Sequence, residues 1–245
     1  MRSTRSLVRV PFWPVYGEAF IPKMNQDLWK EKKFKHNSEL LIGTLPNDAF
    51  AAFKLKSNDL NLNNRIDVVL TDIMKNFMPS QVSINADDIV KMYTSDIDLS
   101  NEQQSKKALI HSLNNVLFDC PALMLAQQYS SANDVYYYLF NYHAVDAKVA
   151  LSEVCELVTP CHAFDEFFVF GFVSEENKLV SREWMQIIAQ FVKTGTVPWP
   201  KYQKTSKDEL IQFYFTFNGG NSSFVDIGYK TSVCNILNPF LFTKL

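Results

Sequence analysis

The run Val135-Tyr-Tyr-Tyr-Leu-Phe-Asn141 constrains this chain most, because a short segment dominated by aromatic and β-branched residues predicts a strand. Before it, from Glu102 through Gln128, Ala108, Leu109, Leu113, Val116 and Leu117 recur at helical spacing. A long amphipathic helix therefore feeds the strand. Leu40-Leu-Ile-Gly43-Thr44 is a short apolar run closed by glycine, as expected of a buried parallel strand. Ile211 to Phe217 alternates with strand period, Asn218-Gly-Gly220 turns the chain, and Phe224-Val-Asp-Ile-Gly228 returns. Further helical patterns run from Pro46-Asn47-Asp48 to about Lys56 with Asn47 as cap, and over Ile66 to Phe77, Asp87 to Met92, Glu166 to Phe172 and Arg182 to Val192. Lys56 to Asn64 is polar and turn-rich, and Tyr229 to Leu241 is a closing amphipathic segment. Strands separated by helices predict an α/β sheet with flanking helices. With no repeat, low-complexity tract or Gly/Ser linker, residues 1–245 read as one continuous unit.

Nearly half of the residues are apolar, ample for a core, and the net charge is only −2. No cluster of lysines and arginines is interleaved with stacking aromatics, which argues against a nucleic-acid partner. The first ten residues carry charges without a continuous apolar stretch, and Pro11 and Pro14 interrupt the next segment, so no secretory signal is read there. No uninterrupted apolar run reaches the roughly 18 residues of a membrane helix, so no membrane span is expected. Four cysteines, Cys120, Cys155, Cys161 and Cys234, include no Cys-x-x-Cys pair of the zinc or redox type. On spacing alone they are equally compatible with buried reduced thiols and with disulfides.

The chemistry is concentrated around one imidazole. Thr159-Pro-Cys161-His162-Ala-Phe-Asp165-Glu166-Phe-Phe-Val-Phe-Gly171, followed by Phe191-Val-Lys-Thr-Gly195 and Trp199-Pro-Lys-Tyr202, resembles the histidine end of a type-B carboxylesterase, the family that includes the cholinesterases. Pro14-Val-Tyr-Gly17 resembles an earlier family turn, with Tyr16 where an aspartate is usual, and the resemblance runs from about Pro11 to Leu245. It implies an α/β-hydrolase in which serine, acid and histidine follow one another along the chain, the serine on a Gly-x-Ser-x-Gly turn. No Gly-x-Ser-x-Gly occurs among these residues. The chain thus resembles the C-terminal portion of such a sheet, with the N-terminal half of the same fold, which would carry the nucleophile, missing.

By this resemblance His162 is the catalytic base, and Gly43-Thr-Leu-Pro-Asn47-Asp48-Ala49 aligns with the family's acid motif, placing Asp48 at the carboxylate that orients it. The competing reading makes Asn47 and Asp48 helix-start residues favoured by the helix dipole. Ala49 replaces a glycine of the motif. Ala51 and Ala52 occupy positions that hold aromatic side chains in cholinesterases, so a general apolar ester is a better substrate guess than choline, although Phe50 and Phe53 could line a gorge. Asp165 reads as a wall residue bonded to backbone. His36, His111 and His143 lack a comparable context and read as structural or exposed. The flanks of Cys120 and Cys234 resemble the two partners of the cholinesterase C-terminal disulfide, while Cys155 and Cys161 could pair around Pro160 or stay apart.

The resemblance further implies a secreted protein, with Asn221-Ser-Ser223 as a glycosylation acceptor. It implies a small-molecule ester substrate, no metal or organic cofactor, and compatibility with a homo-oligomer. The expected activity is carboxylic ester hydrolysis through a serine acyl-enzyme in the intact protein, with the isolated chain inactive for want of the serine. The alternative is a cholinesterase-like adhesion or binding protein that keeps the fold without the reaction.

Overall fold

The computed structural model describes residues 16–23, 27–28, 31–49, 86–144, 160–202, 213–220, 223–226 and 233–235. Expectations on Ile66 to Phe77, on Phe50 to Lys56 and on Lys56 to Asn64 lie outside them, as do Cys155 and Asn221. Four strands, β1 (Glu39–Thr44), β2 (Asp134–Phe140), β3 (Phe213–Phe217) and β4 (Ser223–Asp226), form one sheet in that order. β1, β2 and β3 are parallel, and β4 returns antiparallel to β3. Among the described residues β1 is paired on one side only.

Strand β2 is buried on both faces, as a parallel interior strand must be. Val135, Tyr137 and Leu139 face one layer, built by α1 (Ala86–Thr94), by Val116 and Leu117 just past the end of α2 (Glu102–Asn114), and by α3 (Cys120–Tyr129). Tyr136 and Phe140 face the other, built by α4 (Phe164–Phe170) and α5 (Lys178–Thr194). Trp184 of α5 is fully buried in that second layer, with ring contacts to Tyr138, Phe140 and Phe217. The period-2 alternation of β2 therefore sorts one aromatic run into two cores.

Residues Glu102–Tyr129 form a helix of 28 residues that by length and composition alone could cross a membrane. It does not read as one. Its apolar side packs against β1 and β2, and more than half of its apolar stretch is buried, which makes it a core helix. Asn101 caps it, its side chain accepting the backbone N–H groups of Gln103 and Gln104.

Three expectations need correction. The helix expected to be uninterrupted from Glu102 contains a π-helical turn at Asn115–Asp119, which an apolar stripe cannot reveal because Val116 and Leu117 still fall within it. The helix expected at Glu166 to Phe172 is Phe164–Phe170, stopped by Gly171 in the left-handed region, φ +73°, where glycine is favoured. The helix expected from Arg182 begins at Lys178, after a 3-10 turn at Glu175–Asn177. Its first turns are anchored by buried polar groups, Ser181 donating to the Phe168 carbonyl at 2.7 Å and Asn177 accepting from Tyr142 at 3.0 Å. Apolar periodicity does not register such residues. Of the closing segment, residues 233–235 are described and helical.

Cys120 and Cys234 are joined by a disulfide with their α-carbons 5.1 Å apart, tying the start of α3 to that last helical piece. Both cysteines are buried in the first core. Cys161 is also disulfide-bonded, its partner lying outside the described residues.

Candidate active site

The chain leaves β1 at Thr44 and turns at once into a helical start at residues 48–49. Asp48 is buried in this turn. Its Oδ2 accepts the Leu45 backbone N–H at 2.7 Å, and its Oδ1 lies 2.9 Å from His162 Nδ1. One carboxylate oxygen thus closes the turn and the other meets the imidazole. Asn47 makes a bridge to Cys161, and its side-chain amide donates to the Pro160 carbonyl at 3.2 Å. The loop carrying His162 is therefore stitched to the turn carrying Asp48. Asp48 and His162, distant in sequence, meet beyond the carboxyl ends of the parallel strands, where open α/β sheets form their clefts.

Ala49, which the resemblance sets against a glycine, is accommodated without backbone strain. It is helical, fully buried, and has no positive φ. Ala163, directly after His162, does have one, φ +64°, a region that costs a residue with a β-carbon about 1–2 kcal/mol. Backbone strain of this kind clusters at functional sites.

The His162 side chain is about half exposed, 53%, against 5% for Asp48. The hydrogen bond to Asp48 holds the imidazole pKa above the ordinary histidine value; burial opposes this, and the charges of Asp48, Asp165 and Glu166 add to it. With its Nδ1 proton donated to Asp48, the neutral ring keeps Nε2 as its acceptor. Phe118 packs on the ring with centroids 5.2 Å apart.

A cavity of about 460 Å³ opens here. Its polar side carries His162, Asp48, Asp165 and Glu166, and Leu117, Phe118 and Leu125 form apolar wall. Among the described residues no group of three or more histidine, cysteine or acidic side chains is placed to hold a metal ion.

Asp165 lies in the cavity wall with a backbone hydrogen bond, to its own N–H, and adds a side-chain partner that the expectation did not name. Its Oδ2 accepts the hydroxyl of Tyr138 at 3.0 Å. Burial raises the Asp165 pKa, partly offset by this bond, and burial with the nearby Asp165 charge pushes the Tyr138 hydroxyl far up. Tyr138 is a site residue that sequence reasoning missed. The signal was available, since the alternation along β2 places residue 138 on the face covered by α4.

Gly43 lies opposite Tyr138 in the β1–β2 register, and a β-carbon on it would stand 2.4 Å from the Tyr138 ring. Gly43→Ala is expected to cost about 1–3 kcal/mol through overpacking and to displace Tyr138 from Asp165. A urea midpoint equal to that of the parent chain would refute this.

The other histidines lie elsewhere. His36 is exposed and 3.3 Å from the Lys32 carbonyl, His111 meets the Tyr93 ring edge-on, and His143 is exposed.

An α/β sheet with a carboxylate–imidazole pair beyond the ends of its parallel strands defines a hydrolase-like class of protein. The chain belongs to the carboxylesterase family, whose pattern matches residues 2–238. It is similar to Acetylcholinesterase-1 of Trittame loki, 23% identical over 262 aligned residues that cover 97% of this chain and 44% of that protein. The chain therefore spans less than half the length of this relative.

Proposed function

We propose that this chain is the base-and-acid portion of a carboxylic ester hydrolase, corresponding to the C-terminal part of the fold, with its nucleophilic serine supplied by residues outside the 245. The observation that carries this reading is the 2.9 Å contact between His162 Nδ1 and buried Asp48. In the reaction, His162 Nε2 takes the serine proton as the serine oxygen attacks the ester carbonyl, then returns it to the leaving alcohol. Water, activated by the same nitrogen, releases the acid from the acyl-enzyme. Asp48 holds the tautomer and stabilises the imidazolium. The apolar wall around Leu117 and Phe118 suits a small apolar ester. A structural disulfide suits an oxidising compartment and hence secretion.

A non-catalytic binding role is the second reading, favoured by the absence of Gly-x-Ser-x-Gly from these residues. One experiment separates the two. The chain is expressed alone and fused to the coding sequence upstream of it, and each product is treated with a fluorophosphonate probe and assayed on a short-chain aryl ester. The esterase reading expects labelling and turnover in the fusion only, both lost in His162→Ala. A fusion with neither favours the binding role, and turnover by residues 1–245 alone above the His162→Ala control refutes the division of the site.

A further inference from the structure

The turn that carries Asp48 is closed by that residue's own Oδ2 and is also gripped from behind by a buried polar network. Asn114, at the end of α2, donates from Nδ2 to the Leu45 carbonyl at 3.2 Å and accepts the Ala49 N–H on Oδ1 at 3.0 Å. One amide side chain thus clamps the backbone on both sides of Asp48. The same Nδ2 lies 3.0 Å from Asp119 Oδ2, and Asp119 Oδ1 accepts the Thr44 hydroxyl at 2.7 Å. All three residues are buried.

The π-helical turn explains how one helix can do this. In an α-helix, residues five apart are rotated by about 140° and cannot converge on one target. A π turn closes from residue i to i+5, as the Cys120 N–H does on the Asn115 carbonyl, and so brings Asn114 and Asp119 to one side. The same turn carries Phe118 against the His162 ring. A device that costs helix geometry here serves both members of the pair.

We propose that Asn114, Asp119 and Thr44 are positioning residues that set Asp48 against His162, an inference that rests on the esterase reading of that pair. Thr44 lines the cavity beside Asp48, but these hydrogen bonds run among the three and to the backbone of the turn at residues 45–49, through which their effect passes. Losing them lets Asp48 drift and weakens the bond that raises the His162 pKa.

The test titrates the imidazoles of the 245-residue chain by NMR with ¹³C-labelled histidine, which gives four resonances with exposed His36 and His143 as references. Asp48→Asn calibrates the full fall in His162 pKa. Asn114→Ala and Asp119→Asn are expected to give at least half of that fall, Thr44→Val a smaller one, and Thr44→Ser, which keeps the hydroxyl, to restore the parent value. The reference histidines should stay in place. If Asn114→Ala fails to fold, the Thr44 pair decides. A folded Thr44→Val or Asn114→Ala chain with lower stability but the parent His162 pKa overturns the proposal, because a merely structural network moves only stability. Should Asp48→Asn itself leave His162 unmoved, the failure belongs to the esterase reading instead.

Discussion

Asp48→Asn is expected to return the His162 pKa toward the ordinary histidine value and, in a serine-complemented enzyme, to lower kcat by a factor on the order of 10⁴, the loss that the corresponding change causes in a serine-protease triad. The carboxamide keeps the volume of the carboxylate. It cannot stabilise imidazolium, and its amino group can turn toward the ring and hold the wrong tautomer. The pH dependence of stability gives a check that needs no turnover. The folded imidazole has a raised pKa, chiefly through its hydrogen bond to Asp48, so the bond's stabilisation is complete below the unfolded value near 6.5 and is lost as pH rises through the folded value. The stability difference between the parent chain and Asp48→Asn should therefore shrink as pH rises through that window. Solvent screens the half-exposed imidazole, so the change is modest in energy even where the catalytic effect is large. A difference independent of pH across that window, with the imidazole titrating alike in both chains, would remove Asp48 from its role.

What the sequence discloses here depends on whether a feature lives in periodicity or in one extra residue. β2 is legible because its aromatic alternation matches a strand buried on both faces, and the observed strand, Asp134–Phe140, differs from the expected one by one residue at each end. The helix before it is legible as a helix and illegible as a broken one. The π turn inserts its residue where Leu113, Val116 and Leu117 continue the stripe, so the apolar count gives no warning. For that reason Asn114 and Asp119 look like polar residues of a surface helix, although they lie beneath the site. The approach of Asp48 to His162 was inferable only from family flanks, since nothing local relates residue 48 to residue 162. Tyr138 was legible as a strand residue, whereas its partner Asp165 could be assigned only once α4 was placed over that face of the sheet.

Removing the Cys120–Cys234 bridge, by Cys120→Ala with Cys234→Ala, is expected to cost about 4–5 kcal/mol in the chain-entropy model, since the bond closes a loop across 114 positions. That is a large share of the roughly 5–15 kcal/mol by which a domain is usually stable, so the urea midpoint should fall steeply. Alanine suits this test, because serine would leave a hydroxyl in an apolar core. Substitution is also preferable to a reductant, which would break the second disulfide at Cys161 beside His162 and confuse the two effects. The bridge has a local consequence as well. Cys120 comes directly after Asp119, so the bond pins the end of the π turn that grips the Asp48 loop. The doubly substituted chain should then show a lowered His162 pKa while still folded, in low urea. A large stability loss with the imidazole unmoved would restrict the bridge to global stability, and a loss below about 1 kcal/mol would mean that the unfolded chain is already held compact by other means.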